Sequence, residues 1–413
     1  MKRTGFMIGL SLMVSVTMFG QKKAVTEALK LAKDAKPNFT EARALIKGAL
    51  DNAETKGDAK TWYTAGLIES LQFDAENMKA LLSQPTNDPV MYGALGDVWQ
   101  YFQKAYELDK LPDAKGKVKP KYVKDMKNIL TANLPYYING GAYYFDKQDF
   151  KKAYDLFDQY IKIKDSDLLK EGVKPGTQAP IDSIYLYSVY YAGIASSTLN
   201  DHATAVEAMT RATKQDFHQN EMLQYLSEEY RTAGDTLNWE KTLEEGMSIF
   251  PKDQFFILNL INVYVYTNRY DKAESFIKTA LKDDPNNAQL YDLAGRINES
   301  YLKDYAAAEE NFKKAVELDS ENAETQSSMG RIYFNQGVIL LEAANEISDV
   351  KKYNEEKDKA KELFRKALPY FEKAYKLNPE ANDNKLALRS IYYHLDMGDK
   401  YEEMDKMLNE GSN

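Results

Sequence analysis

The sequence predicts an all-α chain, an α–α superhelix of about eight helical hairpins, two of them with elongated helices. Three observations predict it. Pro251 and Pro285 lie 34 residues apart, and each closes a helical stretch in a short polar turn. Between them, Phe256, Ile257, Leu260, Ile261, Tyr264 and Val265 recur at helical spacing. After Asn268-Arg269 a second stripe follows at Tyr270, Ala273, Phe276, Ile277, Ala280 and Leu281. The frame then continues without a gap in both directions, as in arrays whose single units cannot bury their own apolar face.

Composition narrows the function. The 413 residues carry 54 Lys and Arg against 63 Asp and Glu, no Cys and three His. Disulfides, thiolate metal sites, Cys nucleophiles and a lipidated Cys are therefore excluded. A formal charge of −9 argues against a nucleic-acid binder, which needs a basic face to displace counterions. The 30 Tyr are far more than catalysis needs.

Lys2 and Arg3 precede an uncharged run from Phe6 to Phe19. A run of about 14 residues is short for a bilayer span of ~20 and fits a secretory segment. Residues 1–20 are thus expected to be a signal peptide ending at Gly20, with a retained N-terminal anchor as the alternative. Cleavage leaves 52 basic and 63 acidic residues, a net of −11. An exported chain with neither disulfide nor lipid is expected to be periplasmic, with no membrane span after cleavage.

The elements follow in order. Residues 21–183 hold hairpins with insertions. Phe39, Ala42, Ile46 and Ala49 mark the second helix of a first unit, and Trp62, Ala65 and Gly66 open the next. An elongation runs between Glu69 and Met91, with Gln84–Pro89 as its tip. Pro112–Pro120 and Ser166–Pro180 read as loops, open to proteases. Leu134–Asp167 places Tyr137, Gly141, Tyr144, Ala153 and Phe157 in register.

Residues 184–322 hold the regular units, 186–219, 220–253, 254–287 and 288–322, the last with a one-residue insertion before Tyr305. In 323–382, Met329-Gly330, Tyr333 and Gly337 are followed by their second helix only at Phe364, Ala367, Phe371, Ala374 and Pro379. The extra residues number about 25, close to seven turns, so both helices are expected to extend by roughly 18 Å around a turn near Ser348-Asp349. Pro369 is expected to kink the returning helix. Residues 383–413 suit a capping pair.

The slots filled by Ile257, Leu260, Ile261, Tyr264, Ala273, Ile277, Ala280 and Pro285 resemble the tetratricopeptide repeat, closely over 186–322 and more loosely outside. The long hairpin and the ending LRSIYYHLDMGDKYEEMDKML also resemble exported repeat proteins of Bacteroidota. Two positions depart from the pattern. Trp239 stands where the family has Ala, so the interface must open or the ring must lie outward. His202 replaces an aromatic and reads as a packing or surface residue.

The resemblance implies a non-catalytic scaffold that takes a protein or peptide on the groove side of its first helices. Counted along the units, that side displays Tyr187, Tyr190, Phe255, Leu258, Asn262, Tyr266 and Phe334. It also displays the polar Gln224, Glu228, Arg231, Arg296 and Arg331. Aromatic residues and Arg dominate interface energetics; the other reading is that some of these rings pack on the preceding repeat. Relatives that hold a chaperone's terminal carboxylate use a Lys/Asn/Arg set. Asn262 fits one place, but Leu258 stands where Lys belongs, so that activity does not carry over.

No phosphate loop, dinucleotide fingerprint, His-Glu-x-x-His or Gly-x-Ser-x-Gly occurs in the sequence. No enzyme activity, cofactor, metal or nucleic-acid partner is expected. The second functional reading is a structural subunit of a cell-envelope assembly or secretion complex.

Overall fold

The computed structural model describes residues 20–171 and 182–410, and all regular structure among them is helical. The expected signal segment, save Gly20, and most of the Ser166–Pro180 loop lie outside the described residues. The described start of that loop is a helical turn, Asp167–Lys170, rather than open loop.

Helices pair along the chain. α1 (20–32) precedes α2 (Phe39–Asp51), and α3 (Ala59–Leu81) precedes α4 (Asp88–Asp109). Next come α5 (Val123–Asp146) with α6 (Phe150–Asp165), the short α7 (Asp167–Lys170), and α8 (Ser183–Ser196) with α9 (His202–Thr213). α10 (Gln219–Thr232) is followed by α11 (Thr236–Ile249), α12 (Gln254–Tyr266) by α13 (Tyr270–Asp283), and α14 (Ala288–Ile297) by α15 (Tyr305–Leu318). α16 (Ala323–Asn345), α17 (Val350–Leu377), α18 (Asn382–His394) and α19 (Gly398–Glu410) complete the order. The chain forms two compact units, residues 1–242 and 243–413.

The sequence builds each turn by one recurring device. A residue in the left-handed region ends the first helix: Gln148, Asn200, Gly234, Asn268, Lys303 and Asp396 have φ between 53° and 75°. In four hairpins the next amide reaches back five residues to a tyrosine carbonyl, from Asp149 to Tyr144, Asp235 to Tyr230, Arg269 to Tyr264 and Met397 to Tyr392. That bond satisfies a carbonyl the helix end would leave orphaned. An Asp side chain then caps the next helix at Asp149, Asp201 and Asp304. The repeated Tyr therefore serves twice, its ring in the packing slot and its carbonyl in the turn. Tyr144, Tyr264 and Tyr392 are buried accordingly, whereas Tyr393 is exposed.

The one-residue insertion of unit 288–322 appears as a π-helical turn, Asn298–Leu302, at the end of α14. There the reach-back bond spans six residues instead of five, from Asp304 N–H to Asn298 O. The Asn298 side chain donates to the Ala294 carbonyl, 2.9 Å. The extra residue is thus absorbed in the helix end, and α15 starts in phase.

In several hairpins the paired helices close on a glycine facing a phenylalanine. A Cβ on Gly141 would lie 2.6 Å from the Phe157 ring, on Gly295 2.6 Å from Phe312, and on Gly330 2.8 Å from Phe371. The long hairpin repeats the lock seven residues on, with Gly337 against Phe364 at 2.9 Å. Two locks seven residues apart in both helices keep the elongated pair in the phase of the ordinary repeat. α16 and α17 hold 23 and 28 residues against 14 in α15, so the extension is shared unequally. α17 continues as one helix through Pro369.

Trp239 is buried, so the outward alternative for its ring is excluded. The Pro112–Pro120 loop is tied at its end, because Asp109 Oδ2 accepts the Lys121 and Tyr122 amides, each at 2.7 Å.

Candidate partner-binding cavity

In the second unit, polar contacts join the first helices of successive hairpins side to side. Arg296 on α14 pairs with Asp292 one turn earlier (2.6 Å) and with Glu324 at the start of α16 (2.9 Å). Arg331 on α16 donates twice to Glu299 in the π turn, at 2.9 and 2.6 Å. Ser327 on α16 meets Asn384 on α18 at 2.6 Å. Among these helices opens a cavity of about 680 Å³. Phe334, Phe371, Leu386 and Ala387 form its apolar wall, and Ser327, Asn335, Asn378 and Asn384 its uncharged polar wall.

The cavity's two arginines are both held by carboxylates. Burial works against the Arg296 cation, but Asp292 and Glu324 outweigh it and raise the guanidinium pKa. Arg331 is matched by Glu299, whose side chain is only 9% exposed. Glu324 and Asp383 also line the space, so two arginines face four carboxylates once Asp292 and Glu299 are included.

Asn384 is the least ordinary group of the site. It is 4% exposed, and Ser327 occupies its Oδ1. The other half of its carboxamide has no hydrogen-bond partner among the described residues. The Ser327 hydroxyl also lies 2.9 Å from the Ala323 carbonyl, and its single proton serves one acceptor at a time.

The cavity gathers three of the residues expected from the sequence, Arg296, Arg331 and Phe334. In the first unit Tyr190 meets the start of the following hairpin: its hydroxyl donates to Glu221 (2.9 Å) and its ring stacks on His218 at 4.4 Å. Burial, then that carboxylate, push its pKa up. Tyr187 leans on Tyr191 at 4.8 Å and stays 49% exposed. On α10, Gln224 bonds Asn220 (2.6 Å), and Arg231 pairs with Glu228 (2.7 Å). On α12, Phe255 and Leu258 are half-buried, Asn262 is exposed, and Tyr266 is 70% exposed at the helix end.

Sequence reasoning missed Asn384, Leu386 and Ala387, because α18 reads as a cap. The available signal was Asn382-Asp383-Asn384 followed by Leu386, which places amides and an apolar residue at the start of a helix meant to close a core. His202 pairs with Glu229 and has no metal-ligating company. Among the described residues no group of three or more His, Cys, Asp or Glu is placed to hold a metal, and no helix is long and apolar enough to cross a membrane.

A family model described as Tetratricopeptide repeat matches residues 230–297, and a second of the same description matches 288–322. No curated protein matches the chain. Among solved structures, the chain is similar to a thermophilic TPR protein of Thermus thermophilus. The two share 18% identity over 50% of this chain and 99% of that one, with a TM-score of 0.34. It is also similar to YrrB, titled a TPR protein with an unusual peptide-binding site, at 18% identity over 48% and 90%, TM-score 0.34. MamA from Desulfovibrio magneticus shows 16% identity over 44% and 95%, TM-score 0.31.

Proposed function

The chain is a tetratricopeptide-repeat protein, and on that premise we propose that it is a non-catalytic scaffold of the periplasm that binds a protein or peptide segment on its first helices. The observation that carries this reading is the cavity among α14, α16 and α18, where an apolar wall faces uncharged amides in one recess. A space of this size and mixed lining takes a few residues of a partner chain. Nothing in it is arranged as nucleophile and base.

The test uses a photo-crosslinking residue at Leu386 in the full chain, expressed in its native envelope, with mass spectrometry of the products. A set of proteins crosslinked there, and lost with Phe334→Asp, supports the reading. Crosslinks that map elsewhere on the chain refute it. N-terminal sequencing of the envelope-extracted protein tests export, since cleavage predicts a start at Gln21.

One observation favours the second reading, a structural subunit of an envelope assembly. Met78, Leu81 and Leu82 are exposed at the end of α3, and Val350 is exposed where α17 begins. Apolar residues at the tips of both long hairpins suit fixed neighbours. A single stoichiometric complex crosslinked through these tips would favour it.

A further inference from the structure

We propose that the cavity selects an extended peptide segment that carries no acidic residue and seats an apolar side chain, and that Glu299, Glu324 and Asp383 exclude acidic partners from it. This inference rests on the scaffold reading above and adds the chemistry of the partner.

The argument starts from what an arginine pair would ordinarily do. Arg296 and Arg331 occupy the same slot in successive repeats and face one recess, an arrangement that would draw a carboxylate if the charges were free. Neither is free. Arg331 gives two bonds to Glu299, a nearly buried carboxylate in the π turn. Arg296 is held by Asp292, and its outer nitrogen by Glu324, whose side chain is 80% exposed. An incoming carboxylate would have to displace a protein carboxylate already in place and would also meet Asp383. Like charges brought together at an interface suppress the wrong partner.

The charge left facing a ligand is negative, from Asp383 and the exposed Glu324. Leu386 and Phe334 offer apolar surface, and Asn384, whose Oδ1 is taken by Ser327, can turn the other half of its carboxamide to a ligand. A peptide unit carries one N–H and one C=O, so it satisfies a carboxamide whichever of its two atoms faces the cavity. Only an extended segment leaves its backbone groups unspent, because a helix bonds its own.

Purified full-length protein is panned against hexapeptides of balanced charge composition, displayed with free and with amidated C-termini. Affinities of the selected sequences are measured by fluorescence anisotropy at 50 and 500 mM NaCl. The expected winners carry no acidic residue and one large apolar residue, and lose at least tenfold with Leu386→Asp. Glu324→Gln, at an exposed side chain that leaves the fold intact, is expected to improve binding of acidic hexapeptides at least fivefold. Glu299→Gln, checked by circular dichroism, should improve it further. If the wild type instead selects acidic peptides with steep salt dependence through the same residues, the charge argument is overturned and the scaffold reading stands. If no hexapeptide binds at 1 mM and the Leu386 crosslinker captures nothing at the cavity, both fall together.

Discussion

Gly295→Ala tests the glycine–phenylalanine contact that recurs in several hairpins. The added Cβ would lie 2.6 Å from two ring carbons of Phe312 and 2.9 Å from a third. Ordinary carbon contacts are about 3.5–4.0 Å, so ring or helix must move by roughly 1 Å. Phe312 is fully buried in a cluster with Ala308, Met329 and Ile332 and has no open side to retreat to. Overpacking of this sort costs about 1–3 kcal/mol. Ala in place of Gly inside a helix returns about 1 kcal/mol. The expected net is a loss of up to about 2 kcal/mol. Gly48→Ala is the internal control, since a Cβ there meets nothing within 4 Å and should stabilise by about 0.5–1 kcal/mol. Urea unfolding followed by far-ultraviolet circular dichroism gives the global effect, and hydrogen exchange in α14 and α15 localises it. Adding Phe312→Leu makes room, so the double variant should be less destabilised than the sum of the singles by about 1 kcal/mol. If Gly295→Ala stabilises like Gly48→Ala, or if the double variant is strictly additive, the glycine–phenylalanine lock is not what sets the helix spacing.

Glu76 joins the two sides of the first long hairpin, accepting from Lys79 (2.7 Å) and from the Asn87 amide (3.0 Å). Burial alone would raise its pKa, but these bonds outweigh it and hold the folded value below the usual one. Because the folded pKa is depressed, the contribution is present above the unfolded glutamate pKa of about 4.3 and is lost as pH falls through the folded value. Protection factors over 78–90, which divide out the intrinsic slowing of exchange in acid, should therefore fall below about pH 4.5, and Glu76→Gln should flatten that response. Lys303→Gly removes a side chain from a left-handed position (φ 57°) that Gly234 fills in another hairpin, and should raise stability by about 0.5–1 kcal/mol in urea unfolding. Tyr190→Ala should cost about 2 kcal/mol through lost aromatic packing and the Glu221 bond, whereas Tyr266→Ala at a mostly exposed ring should stay within about 0.5 kcal/mol.

Much of the fold was legible because the repeat writes each structural need as a residue type. The 34-residue frame, with its recurring small, large and aromatic slots and polar turns, sits at fixed offsets. The insertion of about 25 residues kept its phase for a reason visible in the sequence, the spacing of Gly330 to Gly337 and of Phe364 to Phe371. The site was less legible. Slot counting reached Arg296, Arg331 and Phe334, but it treats every repeat as equal and cannot say which neighbours spend a charge. Glu299 sits in the slot that Phe334 fills one repeat later, and only the structure shows that it faces Arg331. Asn384 was hidden because a terminal helix was assigned one task, closing the core, when its first turn also lines the recess.

The departures from the repeat therefore carry more functional information than the repeat itself. A perfect array would present the same surface at every unit, with no reason for a partner to choose one place. Here the single inserted residue produces the π turn that holds Glu299, and Glu299 silences one of two arginines lined up by the regular frame. The capping hairpin contributes the half-paired Asn384 amide and Leu386 beside them. If specificity arises at such irregularities, deleting Ser300 to restore the 34-residue spacing should straighten α14 and disturb the Glu299–Arg331 pair. The array would stay folded, by circular dichroism, while peptide selection at the cavity shifted towards acidic sequences. Retention of the preference against acidic sequences in that deletion variant would show that the π turn is merely tolerated, and that the charge balance is set elsewhere.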